Sequence, residues 1–155
     1  MCRTGSIKIL VAAVMCLVAV TTAAENNKPT ADEVKALTLK ASDVVRDAGI
    51  EQARAIFNKD GEFKHDEIYV NVIDGKGVWM IYPPKPEGVG KSMLNIQDAD
   101  GKFLVQEILK LAAANGEGWI EYRWKNPVTN LLQLKETYVK QVSGTDFVVY
   151  IGRYK

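Results

Sequence analysis

The sequence predicts an α+β domain with an antiparallel sheet of about five strands, a long N-terminal helix and further short helices. Three observations carry this. An uninterrupted helical period comes before any strand-like segment. From Ile68 onward, β-branched and aromatic runs alternate with glycine-rich turns. One further helical period is set between those runs, behind a proline-rich loop. The chain has 155 residues, 47% of them hydrophobic and 25% charged, enough for one core and not two, so one domain is expected.

The first 24 residues differ in kind from the rest. Arg3 and Lys8 precede an apolar run from Ile9 to Val20, and small residues follow through Ala24. As a helix that run reaches only about 18 Å, short of a ~30 Å hydrocarbon core. A cleaved secretory signal at 1–24 is therefore favoured over an uncleaved anchor, with the cut after Ala23 or Ala24, and residues 25–155 form the expected single domain outside the inner membrane, in the periplasm. Both cysteines, Cys2 and Cys16, lie in the leader, so the rest of the chain uses neither disulfides nor thiol chemistry. Taking Arg3 and Lys8 from the 20 basic residues leaves 18 against 19 acidic, a net charge of −1. That balance offers no footprint for nucleic acid.

Thr30 and Glu33 have capping-box spacing and open the first helix. Val34, Leu37, Ala41, Val44, Val45 and Ala48 share one of its faces up to Gly49, which ends it. A shorter helix covers Glu51 to Phe57, with Ala53, Ile56 and Phe57 apolar. Ile68 to Ile73 and Val78 to Tyr82 flank Asp74-Gly75-Lys76-Gly77 and read as a hairpin. Pro83, Pro84 and Pro86 cannot donate to a ladder, so a long loop leaves the sheet there. Asp98 and Asp100 with Gly101 are expected to form a turn that caps a helix from about Lys102 to Ala114, with Leu104, Val105, Ile108, Leu111 and Ala112 facing inward. Trp119 to Trp124, Leu132 to Val142 and Phe147 to Tyr154 complete an antiparallel meander with helices packed on one face. No second apolar stretch approaches membrane length, so any signal is expected to pass through a partner.

Motifs for chemistry fail on inspection. Gly88-Val89-Gly90-Lys91-Ser92 lacks the first glycine of a phosphate-binding loop, whose place is taken by Lys85. Asp98-Ala99-Asp100-Gly101 is followed by Lys102 and Phe103 where a calcium loop needs oxygen ligands. His65 is the sole histidine and sits in a polar run, and no nucleophile has a base beside it. No catalytic residue, metal ligand or cofactor is assigned, and an enzyme is not expected. What remains is a supply of polar-tipped aromatics, suited to an apolar pocket for a small molecule: Tyr69, Tyr82, Tyr122, Trp124, Tyr138 and Tyr150. Alternation places Tyr122 and Trp124 on one face of their strand, and Trp119, Glu121 and Arg123 on the other.

The runs Ile68-Tyr69-Val70-Asn71-Val72-Ile73-Asp74, Pro83 to Lys91, Asp98 to Lys102, Gly118 to Trp124, and Tyr138-Val139 before Gly144-Thr145-Asp146 together resemble the single Cache domain family. The resemblance covers about Ala31 to Tyr154. It implies a PAS-like sheet and the role of an extracytoplasmic sensor in signal transduction or chemotaxis, with a small carboxylate as the favoured ligand. It also implies a membrane receptor or kinase as partner and a homodimer through the N-terminal helix. For a carboxylate, Arg123 offers a bidentate fork and Lys135 a mobile point charge. Where relatives often carry a histidine before the loop proline, this chain has Tyr82. The alternative is a structural or protein-interaction module that has lost its ligand.

Overall fold

The computed structural model describes residues 28–155; the expected leader at 1–24 lies outside the described residues. Helix α1 (Ala31–Ala48) starts at the expected capping box: Thr30 Oγ1 accepts from Glu33 N at 3.2 Å, and Glu33 Oε2 accepts from Thr30 N at 2.7 Å. Gly49, at φ +79°, ends α1 and hands directly to α2 (Ile50–Phe57). The buried face of α1 is Val34, Thr38, Ala41, Ser42 and Val45. Thr38 is tolerated there because its hydroxyl donates back to Val34 O at 2.8 Å.

A small hairpin, β1 (Lys64–His65) with β2 (Ile68–Tyr69), leads into the main sheet. That sheet has five antiparallel strands in the order β4-β3-β7-β6-β5. Their ranges are β3 (Asn71–Ile73), β4 (Trp79–Ile81), β5 (Glu117–Lys125), β6 (Leu132–Gln141) and β7 (Val148–Tyr154). Asp74 Oδ1 closes the β3–β4 turn by accepting from Lys76 N and Val78 N, both at 2.9 Å. A register shift between Val72 and Ile73 disturbs the β3–β4 ladder.

Helix α3 (Leu104–Asn115) does not begin as expected. Its N-cap is Phe103, without a side-chain cap. Asp98 instead accepts from Asp100 N at 3.0 Å and Lys102 N at 2.8 Å, stabilising the turn ahead of the helix. The helices also differ from the one-sided expectation. Helices α1 and α2 cover one face of the sheet, over a core that includes Phe57, Val72, Ile81, Val149 and Ile151. Helix α3 covers the other, over a core that includes Ile73, Trp79, Ile108, Tyr122 and Tyr150. A sheet apolar on both faces requires two covers. The 83–103 loop completes the second. It includes a 3-10 turn at Pro86–Gly88 and is pinned to β4 by Trp79 N to Lys91 O (3.1 Å) and Gly90 N to Trp79 O (2.8 Å). Among the described residues no helix is long and apolar enough to cross a membrane.

Candidate functional site

The aromatic residues converge on the α3 face of the sheet. Tyr122 and Trp124 reach it from β5, Tyr150 from β7 and Tyr69 from the end of β2; Tyr82 follows β4. Leu104 and Val105 from α3 and Ile96 from the loop close the space they surround. The Trp79 and Tyr82 rings stack with centroids 3.9 Å apart, and Tyr69 meets Tyr82 edge-on at 6.0 Å. The cavity is about 20 Å³, enough for one water.

Lys135 lies beneath these rings on β6, 1% exposed. Its Nζ donates to Tyr69 Oη at 2.7 Å and lies 3.5 Å from Tyr154 Oη. The ammonium also sits over the faces of both rings, 4.1 Å from the Tyr69 centroid and 4.6 Å from that of Tyr154. Burial lowers its pKa to about 7, against a smaller opposing pull from the Glu67 carboxylate. Glu67 is otherwise engaged: its oxygens accept from Tyr154 N at 3.1 Å and Asn126 Nδ2 at 3.2 Å. The hydrogen-bond partners of the ammonium are thus neutral phenols. Burial pushes Tyr69, Tyr122 and Tyr150 well above the usual phenol range and Tyr154 up to about 12, so all four keep their protons at neutral pH. The site carries one titratable cation and no built-in counter-ion.

Two residues singled out from the sequence stand elsewhere. Arg123 is on the opposite face from its neighbours Tyr122 and Trp124, half-exposed, with Nε 3.4 Å from Asp100 Oδ2. Tyr138 points to the α1 side, where Trp119 meets it edge-on at 4.9 Å and Lys35 lies over its ring. The strand pleat separates both from the cavity: Lys135, Thr137 and Val139 share the cavity face of β6, and Tyr138, between the last two, points to the other face. The other six, Tyr69, Tyr82, Tyr122, Trp124, Lys135 and Tyr150, are brought together.

The sequence reading missed Trp79, Asn71, Thr137 and Tyr154. Trp79 Nε1 donates to Tyr150 Oη at 3.3 Å, and Thr137 Oγ1 shares a 3.0 Å hydrogen bond with Tyr122 Oη. Asn71 is buried among apolar strand residues and donates from Nδ2 to Tyr150 O at 3.2 Å. An amide in the middle of Val70-Asn71-Val72 was the available signal, since a polar residue in a buried strand needs a partner.

A second, open cleft of about 700 Å³ lies at the start of α1, among Lys28, Glu33, Glu62, His65, Glu67 and Thr129. It borders the point where the chain enters the described residues, and neither Lys135 nor the aromatic cluster is among the residues that line it. Among the described residues no group of three or more histidine, cysteine or carboxylate side chains is placed to hold a metal.

Comparison with known proteins agrees with this architecture. The Single Cache domain 2 family model matches residues 5–155. Sensor histidine kinase MctS of Rhizobium johnstonii is 29% identical over 98 residues, which are 63% of this chain and 20% of that protein. The chain therefore spans about a fifth of the length of that curated relative. A methyl-accepting chemotaxis protein from Vibrio parahaemolyticus superposes with a TM-score of 0.69 at 18% identity, covering 79% of this chain and 86% of that one. A Cache chemosensory domain described for its carboxylic acid recognition gives 0.70 at 22% identity, with 79% and 91% covered. At these identities the solved structures speak for the fold. The family match extends over nearly the whole sequence, and the chain belongs to the single Cache domain 2 family of sensor domains.

Proposed function

We propose that this protein is an extracytoplasmic sensor module that binds a small carboxylate between its sheet and the 83–103 loop. The observation that carries the reading is Lys135: a fully buried ammonium, held by phenols and lacking a hydrogen-bonded carboxylate, beside an aromatic cavity. A buried charge without a counter-ion is costly, and an incoming carboxylate supplies one. Tyr69, whose hydroxyl accepts from Lys135, retains its own proton to donate to the same anion. The stacked Trp79 and Tyr82 and the side chains of Ile96 and Leu104 suit a short carbon chain. Sensing then requires an output partner, for which a membrane receptor or a sensor kinase is the class the family offers. Pairing of two copies through α1 would engage its charged outer residues Asp43, Arg46 and Asp47.

The test is a thermal-shift titration of the purified full chain with acetate, propionate, pyruvate and lactate, using amines of matched size as controls. A ligand at about 100 times its Kd adds about 2.7 kcal/mol to stability. The acids are expected to raise Tm and the amines not, and Lys135→Met is expected to abolish the shift. No shift with any acid at saturation overturns the reading in favour of an interaction module, for which exposed Val128, Leu131 and Leu132 form the apolar surface to probe.

A further inference from the structure

Asn71 is a buried polar residue whose hydrogen bonding is half complete. Among the described residues, its Oδ1 is the one buried side-chain nitrogen or oxygen without a partner. The orientation of the amide is fixed, because Nδ2 donates to the Tyr150 carbonyl on the neighbouring strand at 3.2 Å. Asn71 is 2% exposed and is one of the residues that line the aromatic cavity. Leaving a buried acceptor unmade is unfavourable, and native proteins seldom do so without a reason.

The tyrosine hydroxyls of the cavity wall do not reach this oxygen. Trp79 Nε1 donates to Tyr150 Oη and Thr137 Oγ1 to Tyr122 Oη, and among the described residues no donor lies within hydrogen-bond distance of Asn71 Oδ1. The other end of the site has the opposite character, with the Lys135 ammonium and the Tyr69 hydroxyl both able to donate. Tyr69 and Asn71 are two residues apart on one face of an extended segment, roughly 6–7 Å along the strand. A carboxylate at the Tyr69 end thus leaves its α-carbon substituent within reach of Asn71. Among the described residues no acidic side chain lines the cavity, so an ammonium substituent would sit beside Lys135 uncompensated.

We propose that Asn71 is a specificity residue that accepts a hydrogen bond from the ligand, so that the site prefers a small 2-hydroxy acid to its 2-keto or unsubstituted analogue. The inference rests on the carboxylate reading above and narrows it. A hydroxyl completes the amide, a keto oxygen opposes it acceptor to acceptor, and a methylene leaves it bare. Discrimination by one buried hydrogen bond is on the order of tenfold in Kd.

Calorimetric titration of the full chain with D- and L-lactate, pyruvate and propionate tests it. At least one lactate enantiomer is expected to bind about tenfold more tightly than pyruvate and propionate. In Asn71→Leu the preference should vanish while propionate binding persists, which also shows that the variant folds. Lactate binding no more tightly than propionate to the wild type overturns the inference, whatever the variant does. An unchanged lactate-to-propionate ratio in Asn71→Leu overturns it as well. Failure of all three acids to bind instead overturns the carboxylate reading, and this refinement goes with it.

Discussion

At the scale of single residues, Lys135 makes the most specific demand on the protein. Unfolded, its pKa is near 10.5; folded, burial brings it to about 7. Between those values the unfolded chain holds a proton that the folded protein has released. Stability from this group therefore rises with pH across about 7 to 10.5 and is lost as pH falls through that window; below it both states are charged and the penalty is constant. Each pH unit inside the window is worth up to ~1.4 kcal/mol. The difference in unfolding free energy between Lys135→Met and wild type should therefore grow in favour of the variant as pH drops from 10 toward 7, while Tyr69, Tyr82, Tyr122 and Tyr154, which surround the site, and Glu67 are common to both proteins. A flat difference in denaturant titrations across that range would show that the amine stays charged. The same linkage makes a bound carboxylate recharge Lys135, so binding at pH 8 should take up about one proton, measured as a buffer-dependent heat. The sequence made Lys135 and Arg123 equal candidates because alternation says which residues share a face but not which face is lined. Trp79 was hidden by a different cause: the register shift beside Ile73 lets Trp79 and Tyr82, three residues apart, reach one side, where a regular strand would separate them.

At the scale of elements, the features legible in advance were those written locally. The Thr30–Glu33 capping box, the Gly49 stop and the Asp74 turn each depend on residues within a few positions of one another, and each forms as expected. Thr30→Ala should cost about 1 kcal/mol, read as a lower urea midpoint at constant slope. The Asp98 turn forms as expected and only its role as a cap does not, because one acidic side chain suits a turn or a cap equally well and Phe103 stands at the N-cap. Close packing between strands was not legible. Gly152 on β7 lies where an added Cβ would sit 2.2 Å from Thr137 Oγ1 and 2.5 Å from Lys135 Cε. The missing side chain makes room for the lysine to run beneath the tyrosines. Gly152→Ala should therefore destabilise the protein by about 1–3 kcal/mol, and should weaken acid binding beyond what Thr30→Ala does at the other end of the chain's core. Equal binding by the two variants would mean that Lys135 tolerates displacement.

At the scale of the molecule, the sheet divides the protein into a cavity side under α3 and a side under α1 and α2, and the end of β7 ties the two together. Tyr154 faces the site, where its hydroxyl donates to Lys125 O at 3.0 Å, while its backbone N–H donates to Glu67 at 3.1 Å. Its neighbour Arg153 faces the other way, paired with Glu136 at 2.7 Å and reaching Pro29 O at 3.4 Å, just ahead of α1. One residue step along a strand thus connects the Lys135 pocket to the start of the long helix. Exposure of the apolar tip at Val128, Leu131 and Leu132 marks the same end of the β5–β6 hairpin, whose turn is held by Asn126. A ligand that drew Lys135 forward would change what Tyr154 packs against and, through the β7 ladder, would bias Arg153 and the helix entry. Hydrogen exchange reads this directly. Saturating carboxylate should slow exchange at the cavity wall, and also at Tyr154, at Lys155, whose N–H donates to Leu134 O at 2.9 Å, and in the first turn of α1. Arg153→Ala should keep the first of these effects and lose the last. Protection confined to the cavity wall in the wild type would mean that the pocket and the helix entry are not coupled, and that any signal leaves this domain by another route.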